Sequence, residues 1–357
     1  MKTWIIVVTA AASYFFGECE RTLAPLSPNN IRWRADSVGV APTTLEGIWG
    51  TSPSNVYAVG YGYRQVGERA SGIWHHDGIK WKEESLPLVN NRQPFWYGIW
   101  GVDAKNIWVV GSLTGETFTA SKNGSVVFHW NGTEWLQSLL IEDGPVLKGV
   151  WASSPSDVFV VGHNGFIGHF NGQRWSKQDS IVSKNISSIW GISSSDIYAG
   201  LWYDNNILHY DGKKWEFVSI PSPPKTDHII FSSFWGNDSK NLYLAGSAGN
   251  NLLAMPSGFG FLYRGQISNW ENVDVSNFHP LSVSSIYGGK NEVVYSILND
   301  GNNSSILRID RGDTKSLASF PLFSLTKIWA GFGTVFAVGT TRQTNGSNVG
   351  IIVQGNF

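Results

Sequence analysis

Short apolar segments separated by polar turns recur along the whole chain. The first complete set runs from Gly47–Gly50, across a polar turn, into Val56–Gly60. A longer connection then leads to Gly72–His76 and to a last segment that ends at Trp81. Segments rich in β-branched and aromatic residues, bounded by Gly, Asn, Asp and Ser, are typical of strands joined by turns. The pattern therefore predicts a unit of four antiparallel strands.

This unit occurs seven times. The aromatic residue of its first strand is, in successive copies, Trp49, Trp100, Trp151, Trp190, Trp235, Tyr287 and Trp329. The second strand ends in a glycine, which the sequence places at Gly60, Gly111, Gly162, Gly200, Gly246 and Gly339. Four copies join their last two strands through Asp-Gly or Asn-Gly, which suit a two-residue hairpin turn because both central positions need positive φ. We therefore predict an all-β fold, a seven-bladed β-propeller of four-stranded antiparallel blades.

The two ends of the chain complement each other. The seventh copy, residues 325–357, contains three strands and lacks the fourth. Residues 30–37 are similar to residues 78–85, which form the fourth strand of the first copy. We therefore expect residues near 31–37 to complete blade seven and close the ring, which removes exposed sheet edges. In such a ring the tryptophans pack between blades and are not a ligand platform.

The N-terminus has the features of an export signal. Lys2 precedes a mostly apolar segment, Trp4–Phe16, and Cys19 follows soon after. A basic start, a short apolar stretch and a small-residue region are typical of a secretory signal peptide. Two interpretations stay open: an ordinary cleaved signal, or a bacterial lipoprotein signal in which Cys19 is lipidated. We predict a signal peptide over residues 1–19, a linker over 20–28 and the propeller over 29–357. The protein is then extracytoplasmic: periplasmic, an outer-membrane lipoprotein, or secreted.

Composition narrows the classes of function. Only 15% of the 357 residues are charged, the formal net charge is -1, and no block of Lys and Arg occurs. A nucleic-acid ligand is therefore not expected. Cys19 is the single cysteine, so neither an intrachain disulfide nor a cysteine-based metal site can form. We expect a monomer that contacts a membrane only through a lipid anchor.

The repeats resemble a known group of proteins. A strand that ends in Val-Gly, followed by Tyr-Asp-Gly-x-x-Trp, resembles kelch-type repeats and the central propeller domain of galactose oxidase. The similarity is closer to tandem IWGTSPSDVYAVG propellers of secreted bacterial proteins, and it covers about residues 29–357. The copper site of galactose oxidase is not carried over, because it needs a Tyr–Cys crosslink and this chain has only Cys19.

Loop lengths indicate where a ligand would bind. The connections from first to second strand and from third to fourth strand are short and alike, whereas the others vary widely. Binding residues are usually carried on loops that a rigid scaffold holds, so we place the site on the variable face. Its aromatic and charged residues would suit a glycan or a protein ligand. The candidate ligand-binding residues are Tyr63, Arg64, Arg92, Trp96, Glu116, His163, Trp202, Tyr203, Asp204, His228 and Arg342.

Catalytic motifs are absent from the sequence. It contains no Gly-x-Ser-x-Gly, His-Glu-x-x-His or phosphate-binding loop. We expect no cofactor, no metal and no catalytic residue, and we favour a non-enzymatic binding propeller. One alternative is a polysaccharide hydrolase or lyase at the channel mouth, in which Glu116, Asp143, Asp204 and Asp227 converge. Another is a scaffold subunit of an envelope complex.

Overall fold

The computed structural model describes residues 31–65, 68–113, 124–221, 228–249, 258–288, 293–343 and 346–357. Strands within these ranges form seven antiparallel sheets, each a blade of the ring, and the innermost strands of neighbouring blades pack against each other. The predicted signal peptide, Cys19 and the linker lie outside the described residues. The predicted all-β propeller with seven blades is therefore confirmed.

The strands follow the order of the repeats. Blade 1 contains β2 (Val40–Ser52), β3 (Asn55–Gln65), the short β4 (Glu68–Arg69), β5 (Ile73–His76) and β6 (Trp81–Glu83). Blade 2 contains β7 (Phe95–Asp103), β8 (Asn106–Ser112), β9 (Ser125–Trp130) and β10 (Trp135–Ile141), and blade 3 contains β11 (Leu147–Ser154), β12 (Asp157–Gly162), β13 (Ile167–Phe170) and β14 (Trp175–Lys177). Blade 4 contains β15 (Ile186–Ser193), β16 (Asp196–Leu201), β17 (Asn206–Tyr210) and β18 (Trp215–Ser219), and blade 5 contains β19 (His228–Gly236), β20 (Leu242–Gly249), β21 (Phe259–Gln266) and β22 (Asn269–Asn272). Blade 6 contains β23 (Ser282–Gly288), β24 (Val293–Asn299), β25 (Asn303–Asp310) and β26 (Asp313–Pro321), and blade 7 contains β27 (Phe323–Gly331), β28 (Thr334–Arg342) and β29 (Asn348–Asn356).

The N-terminal strand β1 (Arg32–Val38) completes blade 7. It pairs antiparallel with β29, with Arg32 opposite Asn356 and Val38 opposite Gly350. Trp33 is buried and meets the ring of Phe320 edge-on at 5.2 Å between centroids. The predicted closure is thus confirmed, with the strand one residue later than expected.

The tight turns of one face use their side chains to hold their own backbone. We call this face, which carries the connections from first to second and from third to fourth strand, the short-turn face. In four blades the Oδ1 atom of the turn residue accepts hydrogen bonds from the amides two and three positions later, and these residues are Asp77, Asn131, Asn171 and Asp211. Such local bonds stabilise the turn and occupy the acceptor atoms.

Four histidines of the third strands repeat a second arrangement. In His209, Nε2 lies 2.8 Å from Asp196 Oδ1, and the imidazole packs on the ring of Tyr198. The same bond and ring contact recur at His75, His129 and His169. These histidines are structural elements of each blade.

The first-strand aromatics alternate between two environments. Trp49, Trp151, Trp235 and Trp329 are buried, whereas Trp100, Trp190 and Tyr287 line the central channel. The rings of Trp100 and Trp190, from blades 2 and 4, meet at 4.9 Å with an interplanar angle of 82°. The prediction that tryptophans pack between blades holds for the first group and also for Trp100, whose indole N–H donates to the Ala152 carbonyl of blade 3. The second group packs around the axis, nearer the short-turn face.

The pairing register of blade 4 shows that one predicted glycine, Gly200, does not occupy the same position as the glycines of the other copies. Gly60, Gly111, Gly162, Gly246 and Gly339 each lie opposite the residue before an irregularity in the first strand. A Cβ atom at any of them would overlap a backbone carbonyl oxygen of that strand. In blade 4, however, Leu201 occupies this position opposite Ile186, and Gly200 lies one residue earlier, opposite Ser188. In that copy the glycine comes one residue earlier in the strand. The prediction that Gly200 corresponds to Gly60 and its counterparts is therefore wrong.

Candidate functional site

A row of four rings crosses three blades on the face opposite the short turns, which we call the long-loop face. His163 follows β12, Trp202 and Tyr203 follow β16, and His228 begins β19. Ring centroids are 5.6 Å apart between His163 and Trp202, 6.2 Å between Trp202 and Tyr203, and 5.7 Å between Tyr203 and His228. Their interplanar angles are 55°, 61° and 83°. The structure therefore brings these four predicted residues together, as a series of tilted rings.

A lysine and a carboxylate hold Tyr203 within this ring row. Lys184 Nζ donates to the carbonyl oxygen of Tyr203 at 2.7 Å and to Asp204 Oδ2 at 2.9 Å. Asp204 Oδ1 accepts from both the backbone and side-chain nitrogens of Asn206. Burial alone would raise the pKa of Asp204, but these hydrogen bonds outweigh it, and the pKa is lowered. Asp204 is thus a charged, fully engaged carboxylate.

The backbone presents Tyr203 to solvent. Its φ angle is 57°, which is rare for a residue with a side chain, and its amide donates to the carbonyl oxygen of Ile229 in the next blade. The Trp202 amide donates to the carbonyl of Asn185. Tyr203 is 38% exposed. Two backbone hydrogen bonds, one at Tyr203 and one at the residue before it, therefore fix a strained residue with an exposed ring, as found at binding sites.

A second group of rings and cations lies on blades 1 and 2. The guanidinium carbon of Arg69 lies 4.2 Å from the ring centre of Phe95 and 5.6 Å from that of Tyr63. The Tyr61 ring connects Phe95 to Tyr97, with centroid distances of 5.2 and 5.9 Å. This group extends from the surface of the long-loop face toward the central channel.

The channel is lined by side chains that an irregularity of the strand redirects. Each innermost strand has a register shift at the same position, which leaves one extra residue out of the ladder, as in a β-bulge. The extra residues are Glu46, Tyr97, Lys148, Ser187, Ser232, Ser284 and Thr326. Five of these line a cavity of about 110 Å³ on the axis, together with Lys327. The channel lining therefore differs in charge and size from blade to blade.

Lys327 is enclosed by several blades. Its Nζ atom reaches from blade 7 to the carbonyl oxygen of Ser232 in blade 5, at 3.0 Å. Burial lowers its pKa to about 8, the negative charge of Glu46 acts against this shift, and the positive charge of Lys148 acts with it. Lys148 itself lies 4.1 Å from the ring centre of Tyr97. The channel thus holds two cationic groups and one carboxylate.

The other predicted site residues are scattered or differ from expectation. Trp96 is fully buried, and its indole N–H donates to the carbonyl of Ser71 at 2.9 Å. A ligand cannot reach that ring, so Trp96 is removed from the candidate site. Arg92 and Arg342 are exposed on the long-loop face, away from the ring row. Tyr63 contacts Arg69, the side chain of Arg64 is not among those described, and Glu116 lies outside the described residues.

Of the four carboxylates in the enzyme hypothesis, the structure describes Asp143 and Asp204. Asp204 is held by Lys184, and Asp227, like Glu116, lies outside the described residues. Within the described ranges, no three His, Cys, Asp or Glu residues are grouped so that they could hold a metal ion. In the same ranges, no helix is long and apolar enough to cross a membrane.

Sequence reasoning missed the channel residues and Lys184. The channel could have been found by aligning the copies. The residue three before each first-strand aromatic varies in charge and size, and the next residue is Gly or Ser in six copies but Lys327 in the seventh. Lys184 carried no such signal. It lies in a loop, and only the fold places it beside Asp204.

Comparison with known proteins identifies the fold alone. The chain matches no protein-family model and no curated protein. Among solved structures it is similar to "YCF48 bound to D1 peptide", with a TM-score of 0.60 and 14% identity over 91% of this chain and 97% of that one. It is similar to the WD40 β-propeller domain of Doa1, with a TM-score of 0.59 and 12% identity over 88% and 94%. A third is the extracellular domain of the two-component system BT4673 from B. thetaiotaomicron, with a TM-score of 0.58 and 13% identity over 88% of this chain and 39% of that one.

These likenesses and the blade geometry define the chain as a seven-bladed β-propeller with WD40-like structural neighbours. Its candidate site is the ring row on the long-loop face.

Proposed function

We propose that this protein is a non-enzymatic, extracytoplasmic propeller that binds a peptide segment of a protein ligand on its long-loop face. The observation that carries the proposal is the row of tilted rings formed by His163, Trp202, Tyr203 and His228. One structural neighbour is described as bound to a peptide.

Ring geometry favours a peptide over a glycan. A sugar stacks on a flat, exposed ring face, but in the ring row only Tyr203 is more than a third exposed. Rings tilted by 55° to 83° present edges as well as faces and do not form one flat platform for a sugar. Aromatic anchors of this kind dominate binding energy in protein interfaces.

Charge indicates the kind of peptide. Arg69, Arg92 and Arg342 are exposed on the long-loop face. Arginine recognises carboxylates through paired N–H donors. These arginines lie away from the ring row, so a peptide must extend across the face from the ring row to meet them. Such a peptide is expected to combine apolar or aromatic side chains with acidic ones.

A peptide-display selection against the purified protein tests the proposal. Selected peptides should be acidic and aromatic, and calorimetry should show that Tyr203→Ala and His228→Ala each weaken binding by about tenfold or more. Phe217→Ala is the matched control, because Phe217 is 49% exposed on β18, an outer strand away from the ring row. Equal losses in all three variants would contradict a site at the ring row.

A glycan array run beside the selection separates the other hypotheses. Glycan binding without peptide selection would overturn the peptide ligand, and turnover of a bound polysaccharide would overturn the non-enzymatic role. A protein that selects neither ligand would favour a scaffold role.

Export is supported by Lys2, the apolar segment Trp4–Phe16 and Cys19. Expression of the full chain in a bacterium, followed by fractionation, should place it outside the cytoplasm. If Cys19 is lipidated, labelled palmitate should appear in the wild-type protein and not in Cys19→Ser. Retention of the unprocessed chain in the cytoplasm would contradict export.

A further inference from the structure

The central channel contains a nucleophilic group that peptide binding on the long-loop face does not use. Lys327 lies in the cavity of about 110 Å³, and its ammonium donates to the carbonyl of Ser232 on a different blade. One water needs only roughly 10–15 Å³ of such space. A small organic molecule therefore fits beside the lysine.

Three charged groups belong to this cavity. Glu46 comes from β2, Lys148 from β11 and Lys327 from β27, and all three line the same space. The net charge of these three groups is +1 when Lys327 is protonated. A ligand with a single negative charge would make the group neutral, which favours a small monocarboxylate in a partly desolvated site.

The rest of the lining is suited to hold a small polar ligand in place. Ser187 and Ser232 line the space, and Trp100, Trp190 and Tyr287 line its end toward the short-turn face. Tyr97 lies beside Lys148, whose ammonium is 4.1 Å from its ring centre. Burial raises the pKa of Tyr287 to about 12, so this phenol is neutral and leaves the charge balance unchanged.

We propose that the channel binds a small oxo acid, whose carboxylate pairs with Lys148 and whose carbonyl carbon forms an imine with Lys327. The free amine of Lys327 attacks the carbonyl carbon, and the carbinolamine takes up one proton from solvent and loses one water to give the protonated C=N bond. No oxidant or reductant is needed, and hydrolysis returns the ligand. The iminium form keeps the positive charge of the lysine, so the occupied site is neutral.

The electrostatics of the lysine make this chemistry accessible near neutral pH. With a pKa of about 8, Lys327 is half free amine at about pH 8 and about one tenth free amine at about pH 7. An ordinary lysine with a pKa near 10.4 then has a free fraction roughly a hundredfold smaller. Glu46 opposes this shift and Lys148 supports it, so both charges contribute to the reactivity of the site.

Reductive trapping tests the proposal. The purified full-length protein is treated with glyoxylate and cyanoborohydride at about pH 8, and each lysine is followed by peptide mass spectrometry. Lys327 should gain a carboxymethyl group about tenfold faster than exposed lysines, because its free-amine fraction is roughly a hundredfold larger while a less basic, enclosed amine is a weaker nucleophile. Labelling that follows solvent exposure, or that leaves Lys327 unmodified, would overturn the proposal.

Matched variants separate the covalent step from carboxylate recognition. Lys327→Arg keeps the charge and should abolish the fast label, whereas Lys213→Arg, an exposed turn lysine, should leave it unchanged. Lys148→Gln removes a charge that lowers the pKa of Lys327, so it should slow labelling by both aldehydes. It should slow glyoxylate several-fold more than acetaldehyde, because only glyoxylate carries a carboxylate. An equal effect on both aldehydes would contradict the role given to Lys148.

These results are independent of the peptide ligand. Failure of glyoxylate trapping leaves the ring row and its peptide selection unaffected, and failure of the selection leaves the channel chemistry unaffected. Circular dichroism of Lys327→Arg and Lys148→Gln establishes that a loss of labelling does not reflect unfolding.

Discussion

Asp211 and Asp204 show how the two faces of the disc differ. Asp211, on the short-turn face, accepts hydrogen bonds from the amides of Lys213 and Lys214, and its counterparts do the same in three other blades. Asp204, on the long-loop face, is held by Lys184 and Asn206 and belongs to an arrangement that the described residues show once. Residues that repeat from blade to blade build the scaffold, and residues that occur once are candidates for binding.

The histidines repeat the same contrast. His209 is bonded to Asp196 and packed on Tyr198, as its counterparts are in other blades. His228 instead meets Tyr203 edge-on in the ring row. A histidine at a repeated position is therefore evidence for packing, and one at a unique position is evidence for a site.

The largest loss of stability is expected on the short-turn face, where the turn between third and fourth strands packs on the turn between first and second strands. Gly172 has φ 86°, and a Cβ atom there would lie 2.6 Å from Ser156 Cβ. Gly172→Ala should lower the free energy of unfolding by about 3 kcal/mol, from backbone strain and overpacking together. Gly312→Ala is the matched control, because Gly312 has φ 99° with only Arg264 Nη1 nearby, at 3.8 Å. It should cost about 1–2 kcal/mol in urea titrations. Equal costs would show that the turns do not pack tightly.

The channel lysine should carry a stability cost that depends on pH. Its folded pKa of about 8 is below the value of 10.5 for an ordinary lysine. The unfolded chain therefore binds more protons between these values, and stability rises with pH across that window. Lys327→Met should be more stable than the wild type by about 2 kcal/mol near neutral pH.

That gap between Lys327→Met and the wild type should narrow between about pH 8 and pH 10. The raised pKa values of Tyr57 and Tyr287, about 12 in both cases, are shared by the two proteins and cancel in the comparison. Urea unfolding at both ends of the window measures the gap. A constant gap would mean that Lys327 titrates as an exposed lysine.

A smaller effect is expected from the turn side chain itself. Asn171 Oδ1 accepts from the amides of Gln173 and Arg174 at 3.1 and 3.0 Å. Asn171→Ala should cost about 1 kcal/mol of unfolding free energy, and it should not change peptide affinity. Asn171→Asp keeps the acceptor, as Asp211 does in the next blade, and should behave like the wild type. A change in ligand affinity in either variant would contradict the assignment of Asn171 to the scaffold.

The smallest effect on stability is expected at the ring row. Tyr203 is 38% exposed and has φ 57°, so Tyr203→Ala loses little packing and keeps the same backbone strain. Its free energy of unfolding should stay within about 0.5 kcal/mol of the wild type, while peptide affinity falls. A large loss of stability would place Tyr203 with the scaffold.

The strand order, the seven blades and the ring closure followed from the sequence, because each depends on a short-range pattern. Strand and turn residues that repeat with the blades specify the same local structure each time. The seventh copy lacks the sequence of a fourth strand at the C-terminal end of the chain, and Ile31–Ser37 matches the fourth strand of the first copy. The face that carries the variable loops also followed, because loop length is a property of the sequence.

The site could be predicted only in part. His163, Trp202, Tyr203 and His228 were all candidates, but their sequence separation of 65 residues says nothing of ring distances below 7 Å. Trp96 was also a candidate, and its burial beneath Ser71 depends on the neighbouring blade. Contacts between blades join residues far apart in the chain, and local patterns do not encode them.

By itself, the sequence determined which segments become strands, how many blades form and where the ring closes, since hydrophobic alternation and turn residues act over a few positions. Only the tertiary structure decided which side chains enter the channel, because the bulge that redirects Glu46, Lys148 and their counterparts forms when two strands pair. The tertiary structure alone also decided the environment of Lys327. Its partners come from blades 1, 3 and 5, and only closure of the ring brings their charges and carbonyls to one axis.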